Sequence, residues 1–352
     1  MASKKPQSSV PVTDAILASF RPAKKLSYHE NASVTCLDFD DSGQYLISSG
    51  VDKSIQLYDC YKGVRQKEIQ SQKYGAHLAK FAHGDLSCLY ASTPVQNGEE
   101  PDHSIRHLSL TTKSYLRYFK GHKDQVLSLE MNPVSRTFLS ASADHTVKSW
   151  DLRTSTPMGS IGTGQAALVA YDPHGIVFAV AKPPLSAFES GSVAFYSVAS
   201  FERGPFLTKS VPGAPAEVWS KIEFSNNGRH LLIVTDSPQH YILDAISGKF
   251  LATLVVDAHA AANWMQFQYV SSGAACFSPD GKHVFAGNVN GNVALFDLSP
   301  LKGEDRENVK LRPSHVLASK HGIPKVVAFN PKLLALATAD TNVVLWSTTL
   351  EE

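Results

Sequence analysis

One pattern recurs along this chain and limits the folds that it can adopt. Its best-preserved copy, residues 121–152, reads GHKDQVLSLEMNPVSRTFLSASADHTVKSWDL. It contains a Gly-His pair, an alternating strand, an Asn-Pro turn, a strand of small residues, an Asp turn and a strand that ends in Trp-Asp. The position of Trp150 is occupied along the chain by Tyr58, Leu108, Trp150, Tyr196, Leu243, Phe296 and Trp346. The position six residues earlier is occupied by Asp52, Asp102, Asp144, Ser190, Ser237, Asn290 and Asp340.

These copies have the features of WD repeats, in which each copy forms one four-stranded blade of a β-propeller. The residues six places before the Trp position lie about 42 to 53 residues apart, which fits that repeat with insertions in its loops. We therefore predict an all-β fold, a seven-bladed WD-repeat β-propeller. Repetition also explains how 352 residues can form one large domain.

The two ends of the chain predict how the ring closes. The last copy supplies only three strands before Glu352, and the segment FRPAKKLSYH, residues 20–29, precedes the first complete blade. An unpaired strand edge favours aggregation, so we expect this N-terminal strand to complete the last blade. Residues 19–352 are then the propeller. Residues 1–18, which are rich in Ser, Pro and Lys, are predicted to be a flexible tail.

Composition excludes several classes of function. The chain is 43% apolar and 18% charged, with a formal net charge of +1, so it has no overall attraction to nucleic acids or anionic membranes. It has no apolar run of membrane-spanning length and no secretory segment at its N-terminus, which predicts an intracellular protein without a membrane partner. Its four cysteines form no Cys-x-x-Cys pair, so we expect reduced thiols, no metal site and no cofactor. Residues 302–310, KGEDRENVK, are predicted to be a charged surface loop.

A Ser, a His and an Asp in the best-preserved copy pose the question of a hydrolase triad. In WD repeats, residues at the positions of His122, Ser140, Asp144 and Trp150 form a hydrogen-bonded chain inside the blade. A nucleophilic serine needs an exposed sharp turn and oxyanion donors, whereas Ser140 lies in mid-strand and no Gly-x-Ser-x-Gly motif is nearby. We therefore interpret the four residues as a structural tetrad, predict no catalytic residues, and expect the complete set in this blade alone.

Binding is expected on the face shared by the loops that enter the first strand of each blade and the loops that join the second and third strands, because loops on a rigid scaffold carry specificity. Several of these loops combine large aromatic side chains with lysines, which would suit an acidic or phosphorylated peptide. The candidates for this partner-binding face are Lys73, Tyr74, Lys120, Lys123, Trp219, Trp264, Phe267, Tyr269 and Lys320. The alternative is that Trp219 and Tyr269 begin strands and pack inward. The loop at residues 257–270, longer than a blade needs, makes Trp264 the stronger candidate.

Several segments go beyond a generic propeller. Residues 34–63, VTCLDFDDSGQYLISSGVDKSIQLYDCYKG, and residues 115–153, YLRYFKGHKDQVLSLEMNPVSRTFLSASADHTVKSWDLR, are joined by QKYGAHLAKFAH, SIRHLSL, KIEFSNNGRHLLI and LDAISGK. Together they resemble the Swd-type WD-repeat subunits of COMPASS, the family that includes the animal WD repeat-containing protein eighty-two. The resemblance runs from about residue 20 to the C-terminus and is strongest over residues 30–152.

The resemblance implies a nuclear, non-catalytic scaffold. Members of that family sit in the complex that methylates lysine four of histone H3, where they contact the methyltransferase subunit. The resemblance further implies partners in the mRNA cleavage-and-polyadenylation and phosphatase machinery of transcription termination, and it leaves open direct contact with the phosphorylated RNA polymerase II tail. The alternative is a cytoplasmic WD-repeat scaffold of another assembly. The residues alone favour no nucleic-acid site.

Overall fold

Seven sheets follow one another along the chain, as the repeat predicts, and their strands pair antiparallel except at one parallel pair in blade 5. The structure is a computed structural model and describes residues 11–93, 102–186, 188–212, 217–257, 271–301 and 308–348. In six of the seven sheets, the strands of a blade pair in the order in which they occur along the chain. None of the helices in the described part of the chain has the length and apolar character of a membrane-spanning helix.

The first four blades each have four strands. In blade 1 these are β2 (Val34–Phe39), β3 (Tyr45–Gly50), β4 (Ser54–Asp59) and β5 (Val64–Gln70). In blade 2 they are β6 (His77–Ala82), β7 (Ser87–Ala91), β8 (Ile105–Ser109) and β9 (Tyr115–Phe119). In blade 3 they are β10 (Val126–Met131), β11 (Thr137–Ser142), β12 (Thr146–Asp151) and β13 (Gly159–Gly162). In blade 4 they are β14 (Leu168–Tyr171), β15 (Val177–Lys182), β16 (Gly191–Ser197) and β17 (Leu207–Val211).

The last three blades include two strands that come from elsewhere along the chain. Blade 5 consists of β18 (Trp219–Phe224), β19 (His230–Thr235), β20 (Gln239–Asp244), β21 (Phe250–Val255) and β25 (Val309–Leu311). Blade 6 consists of β22 (Ala275–Phe277), β23 (His283–Gly287), β24 (Val293–Asp297) and β26 (His315–Leu317). Blade 7 consists of β27 (Val326–Phe329), β28 (Ala335–Ala339), β29 (Val343–Thr348) and β1 (Phe20–Leu26). Short 3-10 helices occur at Val198–Arg203 and Ser299–Leu301.

The predicted closure of the ring is confirmed. β1 pairs antiparallel with β29, from Phe20 opposite Thr348 to Leu26 opposite Val343. The N-terminal segment therefore supplies the outer strand of the last blade. Phe20 is fully buried, and its ring lies 6.0 Å from that of Phe285 and 5.7 Å from that of Phe329.

Blade 5 differs from the predicted four-stranded unit. β25 pairs in parallel with β21, with Val309 opposite Ala252 and Leu311 opposite Leu254. Val309 and Lys310, the last two residues of the predicted surface loop at 302–310, thus belong to a strand. After β24 the chain returns to blade 5, where β25 pairs with the outer edge of β21, and it then forms β26 of blade 6.

Residues 1–18 were predicted to be a flexible tail, and the structure differs from that prediction at residues 14–18. These residues form the helix α1 (Asp14–Ala18), whose first turn is capped by the Thr13 hydroxyl. Leu17 is fully buried in the apolar cluster between blades 6 and 7, and Asp14 Oδ1 lies 2.5 Å from His283 Nε2. Burial of one leucine and one polar contact give this short helix a fixed place on the ring.

The turns between first and second strands link adjacent blades. The Asn132 side chain donates to the carbonyl of Gly175 over 3.0 Å, and the Asn330 side chain donates to the carbonyl of Gly43 over 2.7 Å. Both glycines have a positive φ, and a Cβ at either would collide with the asparagine. The Gly of each turn is therefore required by its shape and by the neighbouring blade.

We expect Phe20→Ala to lower the free energy of unfolding by about 3–5 kcal/mol, because it leaves a cavity where β1 closes the ring. Urea unfolding followed by tryptophan fluorescence measures this loss. Lys25→Ala on the same strand is the control, since its side chain is exposed. Equal unfolding midpoints for Phe20→Ala and the unsubstituted chain would contradict this role of β1.

Candidate functional site

Four residues of blade 3 form one hydrogen-bonded chain. His122 precedes β10, Ser140 lies in β11, Asp144 lies in the following turn and Trp150 lies in β12. His122 Nδ1 is 2.9 Å from Asp144 Oδ2, and His122 Nε2 is 2.7 Å from Ser140 Oγ. Trp150 Nε1 donates to Ser140 Oγ over 2.8 Å. The chain thus runs across the sheet from Trp150 to the turn.

The partners assign the protons in this chain. Trp150 N–H can only donate, so Ser140 accepts from it and donates its own hydroxyl to His122 Nε2. The remaining ring proton sits on Nδ1 and is donated to Asp144. Burial lowers the pKa of His122, and the bond to Asp144 only partly offsets this, so the imidazole is neutral near pH 7.

The order of hydrogen bonds from Ser140 to His122 to Asp144 is that of a hydrolase triad, but a substrate cannot reach the serine. Ser140 has no exposed surface, and the indole of Trp150 occupies the hydroxyl oxygen that would have to attack a substrate. Phe138 stacks on Trp150 at an interplanar angle of 10°, and Phe119 packs against the same ring edge to face. A substrate carbonyl has no path to Ser140 through these side chains.

Asp144 is held in its ionised form. Its partial burial opposes ionisation, but hydrogen bonds from the Thr146 hydroxyl, the Lys123 amide and His122 outweigh that effect and lower its pKa to about 2. The carboxylate accepts hydrogen bonds from the Lys123 amide, from the Thr146 hydroxyl at the start of β12 and from the imidazole. It therefore connects the start of β10 to the turn between β11 and β12.

Blade 1 contains a second chain of this kind, in which a tyrosine replaces the tryptophan of the complete set. His29 Nδ1 is 2.9 Å from Asp52 Oδ2, and His29 Nε2 is 2.7 Å from Ser48 Oγ. The hydroxyl of Tyr58 lies 3.1 Å from the same Ser48 oxygen and takes the part of the Trp150 indole. The sequence signal was available, because Asp and the aromatic residue follow the Ser by the same number of positions in both blades.

Other blades use different polar groups at the same place. In blade 2 the buried Arg106 guanidinium contacts Asp102 at 2.5 Å. In blade 5 the buried Glu217 carboxylate accepts from the Tyr241 hydroxyl over 2.9 Å. In blade 7 Trp346 Nε1 donates to the Thr338 hydroxyl over 2.9 Å. Because one donor–acceptor set replaces another, the WD motif is lost from the sequence of these blades while buried polar contacts are kept.

The predicted partner-binding face is partly accessible. Exposed side chains occur at Lys73, Lys120, Lys123 and Lys320, all in connections that lead into a first strand. Tyr74 is half-buried, with the Arg106 guanidinium 3.8 Å and the Lys73 ammonium 5.1 Å from its ring centre. The lysines thus form a basic rim at the end of the ring where each blade begins.

Trp219 is not part of an accessible face. It begins β18 and only 4% of its surface is exposed, and it packs in the apolar cluster between blades 4 and 5. The six-membered part of its indole lies against Gly191, where any Cβ would collide with it. The inward-packing alternative holds for this residue. Trp264, Phe267 and Tyr269 lie outside the described residues.

A cavity of about 330 Å³ occupies the ring axis, and it was not predicted from the sequence. One position of the repeat contributes to its lining from every blade, namely the residue one place before the end of the first strand, or two places before the end in β6. That position is occupied by Asp38, Lys80, Glu130, Ala170, Glu223, Cys276 and Ala328. The signal was a charged residue inside an otherwise apolar strand, as in LDF, AKF, LEM and IEF.

The charges in this channel pair with one another. Lys80 Nζ is 3.5 Å from Asp38 and 3.2 Å from Glu130, and Lys221 Nζ is 2.6 Å from Glu223. Burial raises the pKa of Asp38 to about 6, although Lys80 acts against that shift. Lys80 points to the axis rather than to the end of the ring where the exposed lysines lie. Its charge is therefore taken up by two carboxylates.

Comparison with known proteins identifies the family of the chain, which the geometry alone does not. The family signature described as "WD domain, G-beta repeat" matches residues 20–59 and 113–151. The chain is 37% identical to the COMPASS component SWD2 of Saccharomyces cerevisiae, an alignment that covers 92% of each chain. It is 32% identical to the Set1 complex component swd2 of Schizosaccharomyces pombe, covering 96% of this chain and 99% of that one. It is 34% identical to WD repeat-containing protein 82 of Drosophila melanogaster, covering 97% and 99%.

The chain belongs to the Swd2 family. The resemblance stated from the sequence is thereby confirmed, and the alignments extend over all seven blades rather than over a few repeats. The two segments that match the WD signature include the first three strands of blade 1 and of blade 3, which carry the two hydrogen-bonded chains. In this Swd2-family chain, the repeats that diverge in sequence keep the fold by other contacts.

We expect Asp144→Asn to lower the free energy of unfolding by about 1–3 kcal/mol at pH 7, because buried donors lose a charged acceptor. The folded-state pKa lies below the unfolded value of about 3.9, so this stability is present above about pH 4 and is lost as pH falls toward 2. Urea unfolding from pH 7 to pH 2 measures it. A difference between variant and unsubstituted chain that stays constant across that range would contradict the role of the carboxylate.

Proposed function

We propose that this chain is a non-catalytic scaffold subunit of a COMPASS-type complex that methylates lysine four of histone H3. The observation that carries the proposal is the match, over more than nine-tenths of the chain, to two proteins named as components of COMPASS and of the Set1 complex. A subunit of such a complex would act in the nucleus, and it would bind short segments of the methyltransferase and of other subunits.

The interior of the ring supports a scaffold rather than an enzyme. Ser140, the residue that a hydrolase would use, is fully buried, and its hydroxyl oxygen is occupied by the Trp150 indole. Lys80 and Lys221 in the channel are each paired with carboxylates, which keeps the lysines protonated and removes their nucleophilicity. The surfaces of the ring that are accessible to partner proteins lie at its periphery.

The basic rim is the part of the periphery that we assign to partner binding. Lys73, Lys120, Lys123 and Lys320 project from connections at one end of the ring, and their charges would attract acidic or phosphorylated segments. Segments of this kind include the phosphorylated tail of RNA polymerase II. On this basis we extend the proposal to partners in mRNA cleavage and polyadenylation, in the associated phosphatase, and in transcription termination.

We expect the tagged chain to recover the Set1-type methyltransferase subunit of its own source, and to lie in the nucleus. The quadruple substitution of Lys73, Lys120, Lys123 and Lys320 by Glu should reduce that recovery at least about tenfold, because it replaces attraction by repulsion. Quantitative affinity purification with mass spectrometry measures the recovery. The matched control substitutes four exposed lysines elsewhere by Glu, namely Lys24, Lys25, Lys209 and Lys282.

A cytoplasmic location without the methyltransferase would contradict this proposal and support a scaffold of another assembly. Equal recovery by the quadruple variant would show that the partner binds away from the basic rim.

We also expect no labelling of the native chain by a fluorophosphonate, because Ser140 has no exposed surface. Mass spectrometry of the treated protein measures this, with a serine hydrolase as the positive control. A phosphonylated Ser140 in the folded chain would contradict the scaffold assignment and support a catalytic triad of Ser140, His122 and Asp144.

A further inference from the structure

The fourth strand of each blade has an outer backbone edge, and six of these seven edges are charged and polar, very short, or covered by a further strand, which protects them against pairing with another chain. β1 has Pro22 with Lys24 and Lys25, β5 has Arg65, and β17 has Lys209. β13 has only four residues with Gly at each end, and β26 has only three residues. β21 is covered by β25.

β9, the outer strand of blade 2, has the weakest protection, because its one charged residue, Arg117, is only half-exposed and lies among exposed aromatic and aliphatic side chains. It is a five-residue strand in which Tyr115, Leu116 and Tyr118 are 41%, 50% and 41% exposed. Among the described residues, no strand pairs with its outer edge. Aromatic and aliphatic side chains on a free strand edge favour pairing with another strand, and native proteins retain such an edge where a partner covers it.

The exposed tyrosines of β9 are held in place by side chains of the neighbouring strands of blade 2. A bulge between β8 and β9 puts Tyr115 and Tyr118 on one face, where their ring centres are 5.2 Å apart. The Tyr90 hydroxyl donates to the Tyr115 hydroxyl over 3.1 Å, and the Arg106 guanidinium lies 5.8 Å from the Tyr118 ring centre. Because these contacts preset the side chains, an incoming strand would lose little entropy in ordering them.

The ring already shows that an outer edge of this kind can accept a further strand. On blade 5, β25 pairs with β21 through three residue pairs, although β25 lies far along the chain from that blade. The outer strand of a blade therefore has the twist and the clearance that a fifth strand needs. Blade 2 offers the same edge, and no strand of the described residues fills it.

Charge identifies the kind of segment that would fit. Residues 109–123 contain Lys113, Arg117, Lys120 and Lys123 and no Asp or Glu. The ammonium of Lys67, from the neighbouring outer strand, donates to the carbonyls of Leu110 and Thr111 at the turn before β9. The edge is therefore flanked by positive charge, which favours acidic residues on an incoming strand.

We propose that the outer edge of β9 binds an extended acidic segment of a partner protein, which joins blade 2 as a fifth strand. The inference rests on the proposed scaffold function and adds to it a binding surface separate from most of the basic rim. A second copy of this chain fits less well, because pairing two β9 edges would set these cations against one another. The partner segment should alternate acidic residues with aliphatic or aromatic ones, since alternate side chains of a strand face opposite sides.

A synthetic peptide of sequence Glu-Val-Glu-Phe-Glu-Val-Glu, labelled with fluorescein, tests this on the full chain by fluorescence polarisation. We expect it to bind, and the same peptide with Lys for Glu to fail. N-methylation of alternate backbone nitrogens should also abolish binding, since it removes main-chain donors. Hydrogen–deuterium exchange should show that the peptide protects amides of Tyr115–Phe119 and leaves the other outer strands unchanged.

Leu116→Glu is the decisive variant, because it places a negative charge on the edge at an exposed position. We expect it to weaken peptide binding at least about tenfold. Val316→Glu is the matched control, as Val316 is 56% exposed on β26 of blade 6, and it should leave affinity unchanged. Thermal unfolding followed by circular dichroism checks that both variants are folded.

Four results would overturn the proposal: no binding at millimolar peptide, equal binding by the N-methylated peptide, protection away from β9, or an unchanged affinity in folded Leu116→Glu. Self-association that Leu116→Glu abolishes would also overturn it in favour of a second copy. Failure of the scaffold function looks different. In that case the chain does not recover the methyltransferase, while the peptide still binds at β9.

Discussion

The fold depends on the burial of both faces of every blade against its neighbours. The described residues form seven apolar clusters, and each cluster joins two adjacent blades. A blade removed from the ring would expose two apolar faces, so the structure is stable only as a closed circle. Closure falls to β1, which contributes Phe20 to one junction of blade 7 and Leu26 to the other.

Polar contacts work within that closed ring. The chains of blades 1 and 3 satisfy buried donors that apolar packing would otherwise leave unpaired. Asparagine–glycine contacts such as Asn132 to Gly175 link the turns of adjacent blades at the opposite end. Since a missing partner for a buried polar group is costly, a blade that lacks the histidine recruits another pair, such as Arg106 with Asp102.

A ring built in this way leaves little room for chemistry in its interior and much surface for binding. The lysines of the channel pair with its carboxylates, and the serine that resembles a nucleophile lies behind Trp150 and Phe138. The surfaces that remain are the loops at the ends of the blades and the edges of their outer strands. The exposed lysines of the loops and the exposed tyrosines of β9 both lie at this periphery. The same physical constraint that makes the fold stable thus directs function outward.

The sequence alone determined the number of blades, the closure by β1 and the four-residue chain of blade 3, because these follow from a period and from residue types at set spacings. Only the tertiary structure decided the inward position of Trp219, the second chain with Tyr58, the charged channel, the docking of α1 and the fifth strand β25. The physical reason is that each of these depends on contacts between blades or on one donor replacing another. Alternation along a strand shows which side a residue faces, but it does not show which neighbouring residue meets it there.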